Sequence, residues 1–421
     1  MTGLPLMGVF VVAIVVLILM ISKWKIHPFL SLLFVSLVFG LIGGIPLLDV
    51  KDADGALVTP GIASVIGDGF AATFKSFGLV VIFGTLIGFI LEKTGAAFQL
   101  ADAIVRVIGT KHPVLAIQLM GWVVCIPVFS DSGFVILNPV RRALAQRTGA
   151  SPATMAIALS AGLFTSHVFI PPTPGPLASA SNLGLDNNLL LVMALGALVS
   201  IPVMVAAYFY SVWIGPSLHT PETEAVPDTD VEAAYNELKN SYTRLPSTAL
   251  SLAPILVPIL LMAAGSITSA AGVGGWFGRA VVFAGTPVIA LAIGFLFAVL
   301  LVAETHMMDR FYTFVEDGLR TVGPIILITA AGGVLGRVIS STDVVDFISN
   351  NATQLAGLGL FFPFLITALF KTAQGSATVA MVTTSSLVAP LLPPLGLETP
   401  VQVGLAVMAI SAGSLVVSHA N

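Results

Sequence analysis

The 421 residues are 57% hydrophobic and only 9% charged, with a mean hydropathy of +1.02, against about 25% charged residues in a soluble globular domain. The 17 basic and 21 acidic side chains cannot cover a water-soluble globule of 43.6 kDa, which excludes an ordinary soluble enzyme, a disordered chain and a disulfide scaffold. The formal charge of -4 comes with no basic stripe that would take nucleic acid, and the single cysteine, Cys125, excludes an intrachain disulfide and any cysteine-based metal site.

A spanning helix needs about 20 apolar residues, and the chain offers many such windows. Leu4–Ile21 lacks the positive flank of a signal peptide and is followed at once by Ile26–Ile45, so the two read as a retained helical hairpin. Further clean windows are 77–91, 189–213, 249–268, 281–303 and 321–339. Shorter or interrupted ones are 113–128, 134–145, 152–170, 357–370, 378–392 and 402–419. The one long polar stretch, 215–248, carries Glu222, Glu224, Asp228, Asp230, Glu232 and Glu237; it reads as a solvated connector with one short helix near Val231–Lys239. The linear division is therefore an N-terminal hairpin and outer loop (1–76), a first repeat (77–214), the connector (215–248), scaffold helices (249–320) and a second repeat (321–421).

The two halves resemble each other. Gly84-Thr-Leu-Ile-Gly88 aligns with Gly332-Gly-Val-Leu-Gly336, an offset of 332 − 84 = 248. Ser130-Asp131-Ser132-Gly133-Phe134 then meets Ala373-Gln374-Gly375-Ser376-Ala377, and Ser160-to-His167 meets Ser411-to-His419. Three matches in order predict an internal repeat. In both copies the polar match, a tip at 129–134 or 371–378, lies between apolar segments too short to span, as a re-entrant hairpin would place it. Irregular backbone at membrane depth survives only where it lines a cavity or is buried in protein, and paired interruptions of this kind point to a transporter's binding site.

Positive charges give the orientation. With both hairpins re-entrant, Lys23, Lys25, Lys93, Arg106, Lys111, Arg141, Arg142, Arg147, Lys239, Arg244, Arg310 and Arg320 face the cytoplasm. Lys51, Lys75 and Arg279 face outside, and Arg337 and Lys371 stay near the membrane interior. This 12-to-3 asymmetry puts the first hairpin on the cytoplasmic side and the second outside, so the repeats are inverted.

Asp131 is the leading candidate for chemistry, because a charge in a bilayer costs roughly 2.5–3.5 kcal/mol on insertion scales. It reads either as a protonatable group or cation ligand beside an anionic substrate, or as the N-cap of a returning helix over 134–145. Ser130, Ser132 and Gly133 would offer hydroxyls and free amides to a carboxylate or polyol. At the second tip Gln374, Gly375, Ser376 and Thr378 form the matching donor set, with a returning helix starting near Ser376; small-residue packing is the competing reading. His167 and His419 recur at equivalent positions, and Pro171-Pro-Thr-Pro174-Gly-Pro176 must break the span after His167, near Asn182. The paired glycines read as close helix contacts. Arg337 is open between pairing with Asp343 or Glu304 and meeting the substrate. There is no H-E-x-x-H, Walker loop or nucleophile elbow, so no enzyme and no cofactor is expected, and coupling falls to an ion gradient.

The segments V-F-S-D-S-G-F-V-I-L-N-P (128–139), S-H-V-F-I-P-P-T-P-G-P-L-A (166–178), A-Q-G-S-A-T-V-A-M-V-T-T (373–384) and S-A-G-S-L-V-V-S-H-A-N (411–421) resemble the gluconate permease family. That resemblance implies an all-α polytopic protein of the bacterial inner membrane, with scaffold helices and a mobile, elevator-like transport domain carrying two hairpins. It implies symport of protons with gluconate or a related hydroxy acid, with D-serine, glycerate or lactate carriers and an uncoupled facilitator as alternatives. The implied positions are Asp131, His167, Gln374, Ser376, Thr378 and Asn421, with His419 added by the repeat. Lipid and a small organic acid are the expected partners, and a second copy of the chain is left open. Repeat symmetry also predicts a further span after Asn421.

Overall fold

The computed structural model describes residues 2–108, 111–218, 242, 244–350 and 358–416. It is helical apart from one short antiparallel ribbon, β1 (Val50–Lys51) with β2 (Leu57–Thr59). The helices before the connector are α1 (Gly3–Ser22), α2 (Pro28–Ile42), α3 (Ile62–Lys93), α4 (Ala96–Ile108), α5 (Pro113–Val124), α6 (Ser130–Thr148), α7 (Pro152–Phe169), α8 (Pro174–Asn182) and α9 (Leu189–Ile214). After it come α10 (Thr248–Ala270), α11 (Gly275–Ala284), α12 (Pro287–Glu304), α13 (Phe311–Ser340), α14 (Val344–Asn350), α15 (Phe361–Gln374), α16 (Ala377–Val388) and α17 (Pro400–Gly413). Among the described residues, 6 helical stretches are long and apolar enough to cross a membrane, or 7 when the two parts of α3 count as one span.

The apolar windows fall on helices because a bilayer core forces every backbone group to pair within its own segment. Three departures are informative. Helix α3 starts at Ile62, well before the apolar window at 77, and takes in Asp68 and Lys75. Helix α4, outside the apolar windows, is amphipathic, burying Ala97, Phe98, Leu100 and Ala101. The window 281–303 is two helices, α11 and α12, parted at Gly285-Thr286-Pro287, where Pro287 opens the second. The expected short helix at 231–239 lies outside the described residues. The succession long helix, short helix, hairpin pair, helix occurs twice, as α3–α7 and as α13–α17.

The chain packs into two compact units, each drawing on both halves of the sequence. One comprises Met1–Leu79, Pro174–Val192 and Val322–Asn421. Here α1 packs on α2, with Phe10 and Phe39 rings 5.8 Å apart, and α8 lies along α16. The other unit comprises Val80–Thr173 and Met193–Thr321. Its centre is the α5–α7 pair, brought together by Gly121 and Gly162. A Cβ at Gly121 would stand 2.8 Å from the carbonyl oxygen of Leu159, and one at Gly162 would strike that of Gln118. Small residues of this kind let membrane helices approach closely enough for dispersion to hold them.

Candidate functional site

In the second unit, α5 ends at Val124 and the chain turns through Cys125–Phe129. The buried Cys125 Sγ donates to the carbonyl of Val128 at 3.0 Å. Gly88 lets α3 approach this turn, since a Cβ there would strike the carbonyl of Pro127. Helix α6 begins at Ser130, four residues earlier than the sequence suggested, with Phe129 as its N-cap and no side-chain capping bond. Asp131 is therefore not the cap. It is an exposed first-turn residue, where the helix dipole favours a carboxylate. Ser130 is buried, Ser132 half-buried, and Gly133 N–H closes the first helical bond onto Phe129 at 2.8 Å.

His167, in the last turn of α7, is only 8% exposed, and its Nδ1 has no hydrogen-bond partner. Its ring centroid lies 6.2 Å from that of Phe129, the N-cap residue of α6, so the end of α7 packs on the turn that opens α6. A buried polar atom without a partner costs about 1–3 kcal/mol, which marks this histidine as more than packing. Helix α7 then stops at Phe169, as the prolines require, and α8 resumes at Pro174.

In the first unit, α15 ends at Gln374, and Gly375 takes the left-handed conformation with φ +76°. The buried Lys371 ammonium donates to the carbonyl of Gly375, which identifies a role for this lysine that the sequence left open. Ser376 caps α16, its Oγ accepting from Val379 N–H at 3.3 Å, as the sequence suggested. Thr378 is half-buried at the second position of α16. Asn182, at the end of α8, donates from Nδ2 to Ser385 Oγ and Ser386 Oγ, both at 2.9 Å. The hydroxyls of Thr383 and Thr384 are buried without partners. His419, Asn421 and the side chain of Gln374 lie outside the described residues.

Two basic residues sit differently from the sequence reading. Arg141, counted there with the loop charges, is buried within α6; Nε donates to Asn138 Oδ1 at 2.7 Å and Nη1 to the carbonyl of Pro152 at 2.9 Å. Arg337 pairs with neither suggested carboxylate: Glu304 instead accepts from Ser247 N–H at 3.2 Å. Arg337 lines a cavity of about 460 Å³ with Thr73, Ser181, Asn182, Ser340 and Ser386. Gly336 forms part of its wall with Gly69 and Gly333, for a Cβ at Gly336 would stand 2.7 Å from the carbonyl oxygen of Ser386. Sequence reasoning missed this cavity because its residues come from four separate stretches of chain. A larger cavity in the second unit, about 590 Å³, is lined mostly by apolar residues of α5 and α9 such as Leu119, Ile201 and Phe209.

A bundle of membrane-length helices interrupted by short apolar helices at polar turns is that of a multi-pass membrane protein, and the match to a permease family makes it a transporter. The chain belongs to the GntP permease family, whose model, described as GntP family permease, matches residues 4–421. It is 30% identical to the inner membrane permease YgbN of Escherichia coli, over 100% of this chain and 90% of that one. It is also 30% identical to a gluconate permease of Zymomonas mobilis, over 97% of this chain and 87% of the relative. In fold it is similar to the YdaH transporter of Alcanivorax borkumensis, with TM-score 0.58 and 16% identity, covering 92% of this chain and 86% of that structure.

Proposed function

We infer that this protein imports gluconate or a closely related small hydroxy acid across the bacterial inner membrane by proton symport. The observation that carries the coupling is the turn before α6, where an exposed carboxylate, Asp131, shares a helix N-terminus with Ser130, and where the ring of Phe129 lies 6.2 Å from that of His167, whose buried Nδ1 has no partner. A carboxylate and an imidazole at a break in membrane helices are groups that can take up and release a proton as the site empties. Ser132, Gly133, Gly375, Ser376, Thr378 and Asn182, with Gln374, His419 and Asn421, are the further positions assigned to substrate and proton. The recurrence of the α3–α7 succession as α13–α17 and the 12-to-3 charge bias support inverted repeats that alternate access by an elevator-like movement, with the 215–248 connector in the cytoplasm. No cofactor is assigned; lipid surrounds the chain, and a homodimer is compatible with this reading.

Uptake of labelled gluconate into proteoliposomes under an imposed pH gradient tests the proposal, with glycerate, lactate and D-serine as competitors. Wild type should concentrate gluconate, and Asp131→Asn should lose accumulation while retaining exchange. Accumulation by Asp131→Asn would remove Asp131 from coupling; accumulation driven by a sodium gradient alone would replace the proton.

A further inference from the structure

The cavity around Arg337 has chemistry that neither hairpin tip supplies. Its guanidinium carries five N–H donors and a permanent charge, and among the described residues no carboxylate or carbonyl accepts from it. Among the described residues no acidic side chain lines the cavity. Arg337 is exposed in the last turn of α13, so its charge is open to a ligand.

The remaining lining has the opposite polarity. Thr73 Oγ1 donates to the carbonyl of Gly69, Ser340 Oγ to that of Gly336 and Ser386 Oγ to that of Val382, each at 2.9 Å. The protons of Ser340 and Ser386 are committed to helix carbonyls, so what these two hydroxyls offer a ligand is oxygen lone pairs, one of those on Ser386 already accepting from Asn182 Nδ2 at 2.9 Å. The cavity thus presents one strong cationic fork and neutral hydroxyl acceptors. A ligand matched to it has a carboxylate at one end and hydroxyl donors along its length. A volume of about 460 Å³ falls within the usual range for small-ligand sites, roughly 300–1,000 Å³, and admits a six-carbon acid.

We propose that the Arg337 cavity binds the substrate itself, the guanidinium holding the carboxylate of a polyhydroxy acid while Ser340 and Ser386 accept from its hydroxyls. The proposal rests on the reading of the chain as a hydroxy-acid carrier. It adds a charge-recognition site on α13 that explains selection of an acid over a neutral polyol. Arginine suits the task because its planar fork matches a carboxylate bidentately.

The test compares gluconate with gluconamide, which keeps every hydroxyl but carries no charge, by calorimetric binding to the full-length protein in phosphatidylcholine nanodiscs. Wild type should prefer gluconate. Arg337→Gln should weaken gluconate roughly ten- to hundredfold, as expected for hydrogen bonds to a charged partner, and leave gluconamide nearly unchanged. Arg337→Lys should recover part of the preference. Ser340→Ala should weaken both ligands about two- to tenfold.

Equal binding of gluconate by wild type and Arg337→Gln overturns the proposal. So does equal weakening of both ligands, which would mean a structural role. If phosphatidylglycerol in the nanodisc is bound through Arg337 while gluconate binding ignores the substitution, the arginine serves a lipid phosphate and the proposal also falls. A wild type that binds no sugar acid at all would instead refute the carrier assignment on which it rests.

Discussion

Replacing Gly336 by alanine probes the wall of the cavity with a single methyl group. The new Cβ would lie 2.7 Å from the carbonyl oxygen of Ser386 and 3.6 Å from its carbonyl carbon, against about 3.5 Å for unstrained contact between carbon-sized atoms. The obstacle is backbone of α16 and cannot rotate aside, so the helices must part. Overpacking of this kind costs about 1–3 kcal/mol, opposed by roughly 1 kcal/mol of helix propensity gained when glycine becomes alanine. Gly323 separates the two effects, since it lies on the same helix and a Cβ there meets nothing within 4 Å. Propensity cancels between the two variants, leaving Gly336→Ala less stable than Gly323→Ala by about 1–3 kcal/mol. Reversible denaturation of the purified full-length protein in mixed micelles, read by tryptophan fluorescence, gives that difference. Gly336→Ala as stable as Gly323→Ala would refute the close crossing of α13 and α16.

Asn182→Ala removes two amide-to-hydroxyl bonds between α8 and α16. At roughly 0.6 kcal/mol each inside a bilayer protein and nearer 1 kcal/mol elsewhere, the same denaturation should show a loss of about 1–2 kcal/mol; an unchanged midpoint would deny the bonds any energetic role. Asp49, in the exposed loop before α3, accepts from Gly61 N–H and Ser64 Oγ, both at 2.7 Å, and these bonds hold its carboxyl below the usual value. Its folded-state pKa being depressed, its contribution is complete above the unfolded value near about 3.9 and is lost as pH falls through the folded value. The melting-temperature gap between wild type and Asp49→Ala should therefore close on acidification below about pH 4, and a gap independent of pH would contradict the assignment.

Much of the helical plan was legible because it is local. Apolar windows announced α1, α2, α9, α10 and most of α13, prolines broke the chain after His167, and Ser376 signalled the start of α16. Each follows from hydrogen bonds and dihedrals within a few residues. The first half of α3 was not legible, since Asp68 and Lys75 disguise a helix whose identity as structure comes from packing; a Cβ at Gly69 would stand 2.9 Å from the Cα of Val334.

By itself, then, the sequence determined the solvent the protein lives in, the polar breaks near 130 and 375, and the family. The tertiary structure alone decided which charges matter. Arg141 is a buried structural donor, Lys371 holds the turn at Gly375, and Arg337 lines a cavity with no carboxylate among the described residues. The reason is range. A helix closes its bonds four residues away, whereas the surroundings of a charge are set by chain segments that sequence distance does not rank, here 69–73, 181–182, 333–340 and 386–390.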